Sequence, residues 1–181
     1  MTRARLILKC FLSRDRELLF KACCVYVRFL LECCSAVWSP HLKSLVVKMD
    51  SFQQFFTKRL HDMWNKGYND RLTLLNAHSL EYRRIYSDLV LCFQLLSNGF
   101  NSQLVNTLIK STDKRYRGNN LKLIKQSCSV DATKYYFTNR IVNRPIWNSL
   151  PSHIVSSPTL STFKSPLQRH DFTSHLIVFT M

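Results

Sequence analysis

Between Ser13 and Pro40 the chain runs without glycine or proline through RDRELLFKACCVYVRFLLECCSAVW, and this stretch restricts the possible folds more than any other. Ser13 suits an N-cap, and Asp15 and Glu17 sit where the positive end of a helix dipole favours acids. Arg14, Glu17, Lys21, Arg28 and Glu32 fall on one narrow stripe, with Glu17/Lys21 and Arg28/Glu32 four residues apart. The remaining circumference is apolar, so a helix over about 14–38 must be covered on several sides. Pro40 has no N–H and forces Ser39 out of the helical region, which ends it. Leu42, Leu45, Met49, Phe52, Phe56 and Leu60 then step by three and four, which predicts a second helix over about 41–61. Ser79 caps a third, about 79–98, closed by Asn98-Gly99, with Arg83 and Arg84 exposed near its start.

With three glycines and five prolines in 181 residues, a sandwich or barrel of short strands lacks its turns. The expected fold is mainly α, a helical bundle. Between the second and third helices, a short amphipathic helix starts at Asn69 or Asp70, with Trp64 and Tyr68 against the core. LKLIKQ from Leu121 alternates like a half-exposed strand, and the aromatic and β-branched run Tyr135–Val142 is its expected partner. That gives a small β-hairpin-like element over about 121–143. A short C-terminal helix starts at Ser157-Pro158 and carries Leu160, Phe163 and Leu167, with Pro166 placed to shorten or kink it. The composition shift at Ser111 divides the chain into a helical domain, 1–110, and a basic extension, 111–181.

Twenty-six Lys and Arg against eleven Asp and Glu leave a net charge of +15. A charge of that size points to nucleic acid, an anionic membrane or an acidic partner. Candidate nucleic-acid contacts are Lys58, Arg59 and His61, Arg83 and Arg84, and the loop Lys114, Arg115, Tyr116, Arg117 with Lys122 and Lys125. Tyr116, Tyr135 or Tyr136 can stack on a base. Each also has a structural reading: Arg84 can pair with Asp88 on its own helix, and Lys58/Arg59 can be a solvated face. The seven cysteines include two adjacent pairs, Cys23-Cys24 and Cys33-Cys34, and no C-x-x-C. Buried, reduced thiols of an intracellular protein, nuclear or cytoplasmic, are expected. The basic N-terminus has a short apolar run broken by Lys9 and no small-residue cleavage site, so no signal peptide is expected. Nor is a membrane span: Leu89–Ile109 lacks charge but carries Asn98, Gly99, Asn101, Gln103 and Asn106. The acids are scattered singly, which leaves no two-metal site and no catalytic residue to nominate.

Five ordered blocks resemble a known family. KCFLSRDRELLFKA with YVR-LLE-CS-VWSP, then FTKRL, then Y-DRL-LLN--SLE-RR---DL, then R-VN--WNSLP and S-P-L--FK--L look like the region downstream of the palm in reverse transcriptases of non-LTR retrotransposons, most like the jockey-type elements. The likeness runs from Leu8 to Arg169, with departures at Phe29, Cys33, Gln54-Phe55 and Pro166. It implies a thumb-like helical segment and C-terminal extension of an RNA-directed DNA polymerase, non-catalytic by itself, that grips an RNA–DNA template–primer duplex. Palm and fingers would be missing partners, and Mg²⁺ is expected only with the palm, so no cofactor belongs to this chain.

Overall fold

A computed structural model of the chain, described over residues 2–97, 108 and 121–177, is mainly α-helical. It forms two compact units, one of Met1–Ser35, Pro40–Arg84 and Leu176–Met181, the other of Ala36–Ser39 and Ile85–His175. The domain boundary expected at 110/111 lies outside the described residues.

The first unit opens with α1 (Thr2–Cys10), a helix that the sequence patterning did not predict. Its Ala4 and Ile7 join Leu19, Ala22, Cys23, Val27, Phe52, Phe56, Leu60, Met63 and Leu80 in one core, with Leu8 and Phe11 packed at its edge. The long helix expected over 14–38 is α2 (Arg16–Cys23), a π-helical turn (Cys24–Arg28) and α3 (Phe29–Glu32) in succession. It begins two residues later than expected because Asp15, not Ser13, is the cap: the Asp15 carboxylate accepts from the N–H groups of Glu17 at 3.1 Å and Leu18 at 3.4 Å. Its two oxygens take one donor each, Oδ1 from Glu17 and Oδ2 from Leu18. It also stops early, since Cys34 is at φ 55° before α4 (Ser35–Trp38) starts.

Helix α5 (Lys43–Lys58) presents a different face from the one its apolar spacing suggested. Phe52 and Phe56 are buried, but Leu42 and Leu45 are exposed, and Asp50, Gln53 and Thr57 are buried in their place. These polar residues have specific partners. Asp50 accepts from the N–H of Leu80 at 2.9 Å, Gln53 donates to the carbonyl of His78 at 3.0 Å, and Thr57 donates to the carbonyl of Gln53 at 2.8 Å. The first two tie α5 to the start of α7 (Leu80–Ser97), where Ser79 Oγ accepts from the N–H of Tyr82 at 3.1 Å as the expected cap. Helix α6 (Tyr68–Leu74) lies between, with buried Arg71 donating to the carbonyl of Gln54 at 2.9 Å. Trp64, expected against the core, is 71% exposed.

Burial pushes the Asp50 carboxyl up to about 6, against the opposing pull of the Arg84 guanidinium and of the N–H of Leu80. A carboxyl raised in the folded state binds more protons there than in the unfolded chain between about pH 4 and 6, so its contribution to stability falls as pH rises through that window. Asp50→Asn keeps an acceptor for Leu80 and is expected to flatten the dependence. Urea melts across pH 4 to 7 check this: the wild type should lose up to about 1.4 kcal/mol per pH unit more steeply than the variant.

The second unit is built around the apolar part of α7, where Leu89, Cys92, Phe93 and Leu95 are buried. The β-hairpin expected over 121–143 is not formed. Helix α8 (Asp131–Lys134) precedes its second arm, which is itself helical as α9 (Phe137–Asn143). Phe137 through Val142 are all buried, so α9 is covered all round and has no polar face to betray a helical period. In the first arm, Leu123 is also held by a side chain. Asn148 accepts from the N–H of Leu123 at 3.0 Å and donates to its carbonyl at 2.9 Å, so one side-chain amide supplies both bonds of a ladder pair. Trp147 donates through Nε1 to the carbonyl of Leu121 at 2.8 Å.

After α10 (Ile146–Ser149) and α11 (Ser152–Val155), the expected C-terminal helix is α12 (Leu160–Arg169). It starts from a capping box between Thr159 and Thr162 and continues three residues past Pro166. Phe163 and Leu167 are fully buried, and the Phe163 ring stacks on Phe93 at 4.2 Å. Among the described residues no helix is long and apolar enough to cross a membrane.

Candidate nucleic-acid interface

The basic residues divide sharply between those used inside the fold and those presented at its surface. Arg83 and Arg84, expected at the exposed entry of α7, belong to the first class. Arg84 is only 3% exposed and its charge acts on Asp50. Arg83 is half-buried and forms a two-pronged pair with Glu32, Nε on Oε1 and Nη2 on Oε2 at 2.8 Å. That hydrogen bond holds the Arg83 guanidinium still more firmly protonated, and Glu32 also faces Arg28 at 3.7 Å. Asp88 is paired with Arg140, with contacts of 2.9–3.0 Å from Nε and Nη2 to the two carboxylate oxygens. Charges in the first half of α7 therefore mark internal pairing, not a solvated face.

Lys58 and Arg59 are presented at the surface, and α1 joins them there. Arg3, Arg5 and Lys9 are exposed on α1, a helix with no acidic residue. The guanidinium of Arg59 lies 3.5 Å from the centroid of the Phe55 ring, and that of Arg5 lies 5.6 Å from the same centroid. One aromatic ring thus gathers two guanidinium groups within about 10 Å of each other, about a Debye length at 0.1 M salt. Lys9 is one helical turn beyond Arg5, where side chains are surface neighbours. Arg59 also closes the end of α5 by donating through Nη1 to the carbonyl of Phe55 at 3.2 Å. A guanidinium has five donors, so this bond leaves others for a phosphate. His61 is exposed beside Asp62 at 2.9 Å, which locally offsets its charge when protonated.

Lys114, Arg115, Tyr116 and Arg117 lie outside the described residues. Lys125 is exposed and Lys122 partly buried, both in the second unit. Tyr136 caps α9, and Tyr135 lies 5.2 Å from the Lys134 ammonium. The α1 cations went unassigned in the sequence, although Ala4, Ile7, Leu8 and Phe11 recur at helical spacing with Arg3, Arg5 and Lys9 between them.

Two arrangements bear on catalysis. Ser149 and His175 approach to 3.5 Å, but Ser149 Oγ already donates to the carbonyl of Ile146 at 2.9 Å, so its proton is not directed at the imidazole. Burial lowers the pKa of His175, with His170 and Arg144 adding to the effect. Among the described residues, no three His, Cys, Asp or Glu side chains gather to hold a metal.

In comparisons with known proteins, the chain is 29% identical over 113 residues to an uncharacterized protein of Caenorhabditis elegans, covering 61% of this chain. The chain spans only 57% of the length of that relative. No protein-family model matches the chain. No solved structure matches it either.

Proposed function

We propose that the chain is a non-catalytic piece of an RNA-directed DNA polymerase of the non-LTR retrotransposon type, which grips a template–primer duplex by its backbone. The observation that supports this reading is the pair of exposed cations Arg5 and Arg59, both over the Phe55 ring, with exposed Lys9 one turn beyond Arg5 and exposed Lys58 next to Arg59 in the chain. Cations in this setting neutralise phosphates and release counterions, which gives affinity without sequence preference. The blocks that resemble the polymerase family name the duplex as RNA–DNA. The palm and fingers as partners follow from the same resemblance, and the intracellular setting, nuclear or cytoplasmic, from the cysteine usage, seven cysteines with no C-x-x-C.

Fluorescence anisotropy with a labelled RNA–DNA hybrid tests the proposal. Saturable binding is expected at low salt, equal for unrelated sequences and weakened about 10³-fold or more between 50 and 200 mM salt if six or more phosphates are engaged. A structural or protein-interaction role predicts the opposite result: no hybrid binding at 50 mM salt, with self-association that grows with protein concentration.

A further inference from the structure

The two adjacent cysteine pairs look alike in sequence but differ in structure. Cys23 and Cys24 lie on continuous helical backbone, where successive side chains point about 100° apart. Cys23 is buried, and burial pushes its thiol up to about 12, so it is inert. Cys33 and Cys34 follow the end of α3. Cys33 has ψ 128° and Cys34 has φ 55°, a region few residues other than glycine adopt. This break turns both side chains to one side. Both cysteines are exposed, contrary to the expectation of buried thiols, and their Sγ atoms are 3.7 Å apart.

That separation selects the chemistry. A disulfide requires about 2.05 Å, so the two sulfurs are not joined and the pair is a dithiol. Two sulfurs already in contact need only small side-chain rotations for one thiophilic atom, at bonds of about 2.3 Å, to reach both. A zinc ion would want further ligands, and no cluster of three is formed among the described residues. A thiophilic centre that brings its own third substituent needs only two thiols.

We propose that Cys33 and Cys34 form a vicinal dithiol site that chelates a soft, thiophilic centre of the monosubstituted trivalent arsenical class. In the reaction with an aryl arsenoxide, two sulfur–arsenic bonds form and the arsenic–oxygen bond breaks. Both thiol protons leave with the oxygen as water, and arsenic stays trivalent. The hydrogen bond and charge of Cys34 hold the Cys33 thiol above its ordinary pKa, so chelation displaces a thiol–thiol contact that already exists.

The full chain is treated with phenylarsine oxide, washed with excess 2-mercaptoethanol and weighed by intact mass spectrometry. The expected result is a single adduct that survives the monothiol and is stripped by dithiothreitol. It should be lost in Cys33→Ser and in Cys34→Ser, and kept in Cys10→Ser and Cys24→Ser. A second measurement on the wild type alone maps the cysteines that the adduct protects from iodoacetamide, where Cys33 and Cys34 are expected. An adduct absent from the wild type, retained in Cys33→Ser, or protecting other cysteines would overturn the assignment.

Discussion

Arg140→Met is expected to destabilise the second unit by about 3–5 kcal/mol, because it takes three charge-assisted hydrogen bonds from a carboxylate that the fold has removed from water. Asp88 is 6% exposed and Arg140 7%, and three hydrogen bonds run from the guanidinium to the Asp88 oxygens. The same side chain donates to the carbonyls of Tyr135 at 3.3 Å and Ala36 at 3.2 Å, so one residue joins α9, the segment before it and the start of the unit. Native stabilities are about 5–15 kcal/mol in total, so the loss should be plain in a urea melt. The double variant Asp88→Leu/Arg140→Met removes both charges and should recover much of it, since replacing a whole buried pair costs less than breaking one. A single variant as stable as the wild type would show that Asp88 is hydrated, contrary to the burial described.

Trp147→Ala is expected to cost about 3–5 kcal/mol, the range for removing a fully buried aromatic ring. Trp147 is 0% exposed, its ring centroid is 6.2 Å from that of Phe163, and its Nε1–H donates to the Leu121 carbonyl. Trp147→Phe separates the two contributions. It retains most of the ring volume and loses the hydrogen bond, so about 1–3 kcal/mol should be lost. Equal losses for alanine and phenylalanine would place nearly all of the effect in the hydrogen bond and contradict the packing described.

These two residues also show what was legible in the sequence. The segments resembling a polymerase family contain Arg140, Trp147 and Asn148, and in the fold all three hold the second unit together rather than line a site. Ser79, Leu80, Glu81, Arg84 and Asp88 of another segment are likewise buried. Helix class was readable because long runs lack glycine and proline, and α7 and α12 lie close to where their caps and apolar spacing placed them. The buried face of α5 was not, because Asp50, Gln53 and Thr57 count as polar in a periodicity argument, while the partners of Asp50 and Gln53 are distant in sequence. Helix α9 read as a strand because its aromatic and β-branched residues favour strands, while Thr138, Asn139 and Arg140 are buried along with the apolar positions and leave no helical period to count. Of the interface, Lys58 and Arg59 were legible as a basic pair, whereas their neighbour Arg5 depends on its tertiary approach to Phe55.

The relation between Arg5 and Arg59 is the centre of the functional proposal, and charge reversal addresses it directly. For the wild type and for Arg5→Glu/Lys58→Glu/Arg59→Glu, the logarithm of the association constant for an RNA–DNA hybrid is plotted against the logarithm of salt concentration. The proposal predicts a steep negative slope for the wild type and a slope shallower by about 0.7–0.9 for each phosphate that the variant no longer neutralises, with helicity unchanged by circular dichroism. Equal slopes for the two proteins, or a wild type that ignores the hybrid at low salt, would contradict it.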